Sequence, residues 1–171
     1  MPQRKQRDLV PENGLMVRDM EGHYRAASPE QILTAARVIV DQTLRRGVKF
    51  GEPKVAKDYL RAKLGGRECE IFAALFLDAQ NRLIEYAEIF RGTVSESRIY
   101  PREIVKESLA RNAAALIVAH NHPSGLPEPS LADRTVTTLL CEALALVDVR
   151  LLDHILVAGH TAVSFREIGA F

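Results

Sequence analysis

The sequence predicts an α/β domain in which a mixed β-sheet is flanked by helices. Two observations support this prediction. Apolar residues recur at helical spacing over much of the first third of the chain, and from Cys69 onward short apolar runs of strand length alternate with further helical segments. The length of 171 residues fits one such domain with a tail. A hydrophobic fraction of 47% and a charged fraction of 26% exclude disordered, collagen-like and fibrous proteins.

The first third of the chain predicts an arm followed by two helices. Residues 1–27 show no sustained period, so we expect an extended or disordered arm. Ser28 followed by proline and then Gln31 is typical of a helix start, and it predicts a helix over residues 28–46. A second helix is predicted over residues 53–64, where apolar residues share one side and a Gly-Gly pair follows.

The rest of the chain alternates between strand-like and helical patterns. The first two apolar runs are separated by turn-forming residues, which favours a hairpin. The run at 113–119 is uninterrupted, as expected of a central strand. The predicted strands are 71–77, 83–90, 113–119, 149–152 and 154–157, with 163–165 as an edge, and the predicted helices are 101–111 and 130–146.

Apolar runs and cysteines bear on the cellular compartment. The longest uncharged apolar runs fall far short of the about 20 residues that a membrane helix needs, and no apolar stretch follows the basic residues at the N-terminus. The two cysteines, Cys69 and Cys141, are distant in sequence and exclude a disulfide framework. We therefore expect a cytoplasmic protein with no membrane association.

Charge divides the chain into two parts. Residues 1–67 carry 14 Lys and Arg against 8 Asp and Glu, whereas residues 68–171 carry 9 against 14. A basic first third could bind nucleic acid or an acidic partner. The alternative interpretation, a solvated helix face, is the commoner origin of such charges.

The segment with the strongest chemical signal follows the predicted strand 113–119. His120 and His122 are two residues apart on extended chain, which places both side chains on one face. Asp133 can supply a third ligand if the proline-rich loop folds back, and three protein ligands would leave one zinc position for water, as in catalytic sites. The alternative is that Ser130 and Asp133 form an ordinary helix start, and the two roles are compatible.

These residues resemble a known family. His-x-His, seven residues, Ser, two residues, Asp matches the JAMM (MPN+) metalloprotease motif, and His-Asn-His-Pro-Ser-Gly is similar to the RadC branch of that family. The resemblance covers about residues 51–171, which divides the chain into an N-terminal arm and helix (1–50) and a RadC-type MPN/JAB domain (51–171). It does not include the helix-hairpin-helix region of full-length RadC proteins, so we expect the short RadC-like form.

The resemblance implies a fold and a site. The fold is the MPN/JAB, or cytidine-deaminase-like, α/β fold. The site holds one Zn²⁺ per chain on His120, His122 and Asp133, with Glu70 as acid and base and Ser130 as a hydrogen-bond donor to the oxyanion. From the residues alone, a glutamate at a strand entry is more often solvated than catalytic. His154, between apolar strand residues, is expected to be a core or edge histidine rather than a ligand.

Competing functions follow from these observations. The leading hypothesis is a zinc-dependent hydrolase, a metallopeptidase or isopeptidase that uses a metal-activated water on a protein or peptide substrate. The alternative is a DNA-associated repair or antirestriction accessory protein in which the metal domain is a binding module. A metal-free interaction module is disfavoured by the intact ligand set. The helix of the N-terminal segment could pack on the domain or mediate a homodimer, and the sequence does not choose between these.

Overall fold

The structure, a computed structural model, describes residues 14–43, 47–92 and 99–171. Predictions that fall on residues 1–13, 44–46 and 93–98 lie outside the described residues; these include the end of the predicted first helix and the first 13 residues of the predicted arm. The chain divides into two compact units, Met1–Ile39 and Val40–Phe171.

The described part of the first unit contains an antiparallel hairpin that sequence patterning did not predict. Strands β1 (Met16–Arg18) and β2 (Tyr24–Ala26) pair across a turn. The Asp19 carboxylate closes this turn by accepting the backbone N–H groups of Glu21 and His23. The expectation of an extended or disordered arm is therefore wrong for these residues. Strands of three residues are too short for a period of two to be visible in the sequence.

Helix α1 (Pro29–Thr43) starts where the sequence predicts. The Ser28 hydroxyl accepts the backbone N–H of Gln31 at 3.2 Å, and the Gln31 side chain accepts the backbone N–H of Ser28 at 3.0 Å. This reciprocal pair is a capping box, which satisfies N–H groups that the first turn of a helix leaves without partners.

The second unit is built around a sheet. Its helices are α2 (Pro53–Leu64), α3 (Pro101–Ala110) and α4 (Leu131–Ala145). Within the described residues, the sheet has five strands in the order β4-β3-β5-β6-β7, and all pairs are antiparallel except β5 with β6. The strands are β3 (Ile71–Leu77), β4 (Leu83–Arg91), β5 (Ala115–His122), β6 (Arg150–Ala158) and β7 (Thr161–Ser164). The prediction of a mixed sheet flanked by helices is confirmed.

The two faces of the sheet have separate cores. Residues of α2, such as Leu60, pack on one face with Leu75 and Ile117. Residues of α3 and α4, such as Ile104 and Leu140, pack on the other face. Every residue of β3 is buried, which explains why its sequence is a continuous apolar run rather than an alternating one.

Two strand boundaries correct the sequence predictions. β5 ends at His122 rather than at residue 119, because its backbone pairs with β6 as far as Ala158. The predicted strands 149–152 and 154–157 are a single strand, β6, which continues through the buried Asp153. Its carboxylate accepts hydrogen bonds from the hydroxyl of Ser164 and the backbone N–H of Arg166, so burial leaves it with partners.

The parallel pairing of β5 with β6 brings the start of α4 to the end of β5. α4 follows β5 in sequence and forms the crossover to β6, so its first turn lies near the last residues of β5. No helix within the described residues is both long enough and apolar enough to cross a bilayer.

Candidate metal centre

The two histidines at the end of β5 point to the same side of the sheet. His120 and His122 alternate with Asn121 along the strand, as the period of two requires. Their Nε2 atoms are 3.1 Å apart. The side chain of His120 is only 1% exposed, whereas that of His122 is 19% exposed, so the pair extends from the core to the surface.

Asp133 in the first turn of α4 completes a cluster with these histidines. Its Oδ1 lies 3.3 Å from His120 Nε2, and its Oδ2 lies 3.5 Å from His122 Nε2. Ligands at about 2.0–2.1 Å from a tetrahedral zinc ion are about 3.3–3.4 Å from one another. Each separation is close to this value, and one ligand atom from each of the three side chains lies near enough to the others that this His-His-Asp group could hold a metal ion.

The ring of His122 is oriented by a loop carbonyl. His122 Nδ1 lies 2.9 Å from the backbone oxygen of Leu126. Because a carbonyl oxygen only accepts hydrogen bonds, Nδ1 carries the proton and a neutral ring presents the lone pair of Nε2 toward Asp133. A fixed Nδ1–H is the usual arrangement behind a metal-binding imidazole, so the donor set suits a zinc ion.

The carboxyl group of Asp133 is held in its ionised form. Burial by itself raises the pKa of Asp133, but a His120 ring in its protonated form, through a hydrogen bond and its charge, and two hydrogen bonds from Ser130 bring it well below the usual range. Both donors of Ser130, its backbone N–H and its hydroxyl, lie 2.7 Å from Oδ2. Asp133 therefore offers an anionic oxygen atom that could bind a metal ion.

Ser130 and Asp133 also cap α4. The Ser130 hydroxyl accepts the backbone N–H of Asp133 at 3.1 Å while the Asp133 carboxylate accepts the backbone N–H of Ser130. The helix-start interpretation from the sequence is confirmed. The same two side chains belong to the cluster, so the cap fixes where the carboxylate stands relative to β5.

A cleft of about 600 Å³ opens beside the cluster. Glu70 and Ser130 both line it, together with His122 and Asp133. Apolar side chains form much of the remaining wall, and these are Ile99, Leu131, Val136 and Leu139. The structure thus brings all five residues singled out in the sequence to one place, with His120 at the buried end.

Asn121 anchors the backbone on both sides of Glu70. Its side-chain oxygen accepts the backbone N–H of Ile71 at 2.8 Å, and its amide nitrogen donates to the backbone oxygen of Cys69 at 3.0 Å. Glu70 lies between these two residues, so β5 sets the position of the carboxylate at the cleft. The sequence analysis did not predict this role. The available signal was the position of Asn121 between the two histidines, which places its amide on the opposite face of the strand.

His154 and Thr137 lie behind the cluster. His154 is fully buried and its Nε2 lies 2.8 Å from His120 Nδ1, so it is a core residue outside the His-His-Asp group. Thr137 contacts the other ring nitrogen of His154. Burial lowers the pKa of His154 well below its ordinary value, with the nearby His120 as the next cause. Thr137 was not predicted, although it stands one helical turn after Asp133.

Comparison with known proteins gives a consistent result. The family model for the RadC-like JAB domain matches residues 50–170. The chain is 49% identical over 148 residues to a UPF0758 protein of Thiobacillus denitrificans, 54% over 143 residues to one of Vibrio cholerae and 54% over 134 residues to one of Chromobacterium violaceum. These matches cover 86%, 84% and 78% of this chain. They span 66%, 90% and 60% of the respective relatives, so the chain corresponds to under two thirds of the first and third.

Proposed function

This chain belongs to the family of RadC-like JAB domains, and from that premise we propose that it is a zinc-dependent hydrolase of the JAMM type that cleaves a peptide or isopeptide bond. The observation that carries the proposal is the convergence of two Nε2 atoms and a carboxylate at one end of a cleft that Glu70 and Ser130 also line. Two imidazoles and one carboxylate are a ligand set of catalytic zinc sites.

His120, His122 and Asp133 are the proposed zinc ligands, one ion per chain. When bound, zinc acts as a Lewis acid that lowers the pKa of a coordinated water to about 7 and polarises a carbonyl group. Water and a substrate carbonyl group could reach the bound ion from the cleft, because His122 and Asp133 line the cleft while His120 is buried.

Glu70 is the proposed general base and acid. Its position on the cleft wall suits a carboxylate that accepts a proton from the attacking water and passes it to the leaving amine. The backbone bonds of Asn121 to both neighbours of Glu70 support this role, because a proton-transferring group must be held within hydrogen-bond reach of the reacting atoms.

Ser130 is the proposed donor to the oxyanion. Its hydroxyl now donates to Asp133 Oδ2, and its backbone N–H donates to the same oxygen. The hydroxyl can therefore turn toward a developing negative charge in the cleft while Asp133 keeps one Ser130 donor. A hydroxyl aimed at such a charge lowers the barrier to acyl transfer.

Metal analysis of the purified protein tests this proposal. We expect about one zinc per chain in the wild type, loss of zinc in His122→Ala and Asp133→Ala, and retained zinc in Glu70→Gln, because Glu70 is placed outside the ligand set. Cleavage assays on peptide and lysine-isopeptide libraries then use the zinc-loaded Glu70→Gln protein as a matched inactive control. Cleavage that persists in His122→Ala or Glu70→Gln would contradict the proposed mechanism.

Absence of zinc in the wild type, even after zinc is supplied at neutral pH, would instead favour the binding-module hypothesis. The alternative of a DNA-associated repair or antirestriction protein stays a prediction, because the five basic residues that would test it lie outside the described residues; these are Arg4, Lys5, Arg7, Arg45 and Arg46. The homodimer prediction and the cytoplasmic location are likewise untested.

A further inference from the structure

A chain of buried hydrogen bonds links one candidate zinc ligand to the helix that carries another. His120 Nδ1 lies 2.8 Å from His154 Nε2, and His154 Nδ1 lies 2.6 Å from Thr137 Oγ1. The Thr137 hydroxyl in turn lies 2.6 Å from the backbone oxygen of Asp133. His120, His154 and Thr137 are each at least 99% buried, so these contacts are shielded from bulk water.

The direction of every bond in this chain follows from its last acceptor. A carbonyl oxygen cannot donate, so the Thr137 hydroxyl proton points at Asp133 and the hydroxyl oxygen must accept from His154 Nδ1–H. A neutral His154 then has an acceptor at Nε2, so His120 Nδ1 is the donor. In its neutral form, His120 therefore carries its proton on the nitrogen that faces away from the cluster.

We propose that Thr137 and His154 are positioning residues that lock His120 in the Nδ1–H tautomer and so present the lone pair of its Nε2 to the metal. This inference rests on the proposed assignment of His120 as a zinc ligand. Neither residue touches the reacting atoms. Both act through the imidazole of His120, as outer-shell partners of metal ligands do.

The surroundings of His154 explain why two residues are needed here and one suffices for His122. His122 reaches a loop carbonyl directly, at Leu126. His120 points into the α3 and α4 face of the sheet, where the rings of Phe72 and Phe165 lie beside it and His154. Aromatic carbon atoms are not conventional hydrogen-bond acceptors. The hydrogen bonds that start at His120 Nδ1 therefore pass through His154 and Thr137 before they end at a carbonyl oxygen, that of Asp133.

Replacing Thr137 with valine keeps the shape of the side chain and removes the hydroxyl. Nothing then selects the His154 tautomer, and the His120 form that carries its proton on Nε2 becomes populated. That form cannot bind zinc until the proton leaves or moves. We expect Thr137→Val to weaken zinc binding by about 10- to 100-fold, the usual effect of losing an outer-shell partner. Thr137→Ser, which keeps the hydroxyl, is expected to stay close to the wild type.

The first measurement is zinc affinity of the full chain by competition with a chromophoric chelator. Thr138→Val is the matched control, because the Thr138 hydroxyl also bonds the carbonyl one turn earlier, that of Arg134, but is exposed and makes no contact with a histidine in the described structure. Loss of affinity in Thr137→Val alone, with rescue in Thr137→Ser, supports the proposal. Equal affinities in Thr137→Val and the wild type would overturn it.

The second measurement is the ¹⁵N NMR spectrum of the histidine rings in the zinc-free wild type, which distinguishes the two neutral tautomers. The proposal requires Nδ1–H for both His120 and His154, and Nε2–H on a neutral His120 would overturn it even if Thr137→Val fails to fold. The two proposals fail separately. A wild type that binds no zinc but shows the Nδ1–H tautomers refutes the hydrolase and keeps only the tautomer assignment, whereas a wild type that binds zinc but carries Nε2–H on a neutral, zinc-free His120 refutes the positioning role alone.

Discussion

Consecutive residues of β6 serve the two faces of the sheet in different ways. Asp153 faces the α2 side and His154 faces the α3 and α4 side, because side chains alternate along a strand. The Asp153 carboxylate accepts hydrogen bonds from the Ser164 hydroxyl and from two backbone N–H groups, one of them that of Arg166, so it connects β6 to the end of β7. His154 instead bonds to a candidate zinc ligand. On β6, the buried carboxylate of Asp153 therefore links two strands, whereas the buried imidazole of His154 contacts the candidate metal cluster.

The difference between Asp153, which is buried, and Asp133, which is half-buried, lies in what surrounds each carboxylate. Burial raises the pKa of Asp153, and donation from the Ser164 hydroxyl and from the backbone offsets this only partly. Burial acts in the same direction on the pKa of Asp133, yet His120 and Ser130 reverse it. The difference lies in the neighbours, since Asp133 faces imidazoles and a double donor. The anionic carboxylate of Asp133 beside two imidazoles suits a metal site. The carboxylate of Asp153, which is bonded only by uncharged donors, suits a link between β6 and β7.

Paired amide substitutions break this comparison most directly. Asp133→Asn removes the negative charge of the proposed ligand, so we expect zinc affinity to fall by more than the about 100-fold that loss of an outer-shell partner can cost. Asp153→Asn replaces an accepting oxygen with an NH₂ group, which is itself a donor and cannot accept the hydrogen bonds that Asp153 receives. We therefore expect the free energy of unfolding of the zinc-free protein to fall by about 2 kcal/mol. Chelator competition and urea unfolding measure the two effects.

Each variant is the control for the other. Asp153→Asn should leave zinc affinity unchanged, since its carboxylate is on the opposite face from the cluster. Asp133→Asn should cost less unfolding free energy than Asp153→Asn, because the Ser130 hydroxyl still caps the backbone of residue 133. If zinc affinity fell equally in both variants, the division of roles between the faces would be wrong.

Asn121 sharpens the comparison within a single strand, because it lies between the two histidines and faces the α2 side. Asn121→Ala leaves the backbone N–H of Ile71 and the backbone oxygen of Cys69 without their side-chain partner. We expect the free energy of unfolding to fall by about 2 kcal/mol while zinc stays bound. Urea unfolding and zinc content measure this. Zinc loss as complete as in His122→Ala would place Asn121 among the groups that the metal site requires.

The sequence predicts the α3 and α4 face better than the polar network around it. His120, His122, Ser130 and Asp133 are close in sequence, so strand period and helix capping place them correctly. Thr137 and His154 meet only because β5 pairs in parallel with β6, and no local pattern encodes that pairing. Asn121 bonds to Ile71, 50 residues earlier, because β5 also pairs with β3, and no local pattern encodes that pairing either. Long-range pairing therefore marks the limit of what the sequence predicted.

The smallest expected effect is a pH dependence that separates the two aspartates by sign. Because the folded pKa of Asp153 is raised above its unfolded value of about 3.9, its contribution to stability is complete below about pH 4 and is lost as the pH rises through the folded pKa. The stability deficit of Asp153→Asn, measured by urea unfolding of zinc-free protein, should therefore be larger at pH 4 than at pH 7. A deficit that grows with pH would mean that the ionised form is the stabilised one. Asp153 would then resemble Asp133, and the contrast between the faces would rest on geometry alone.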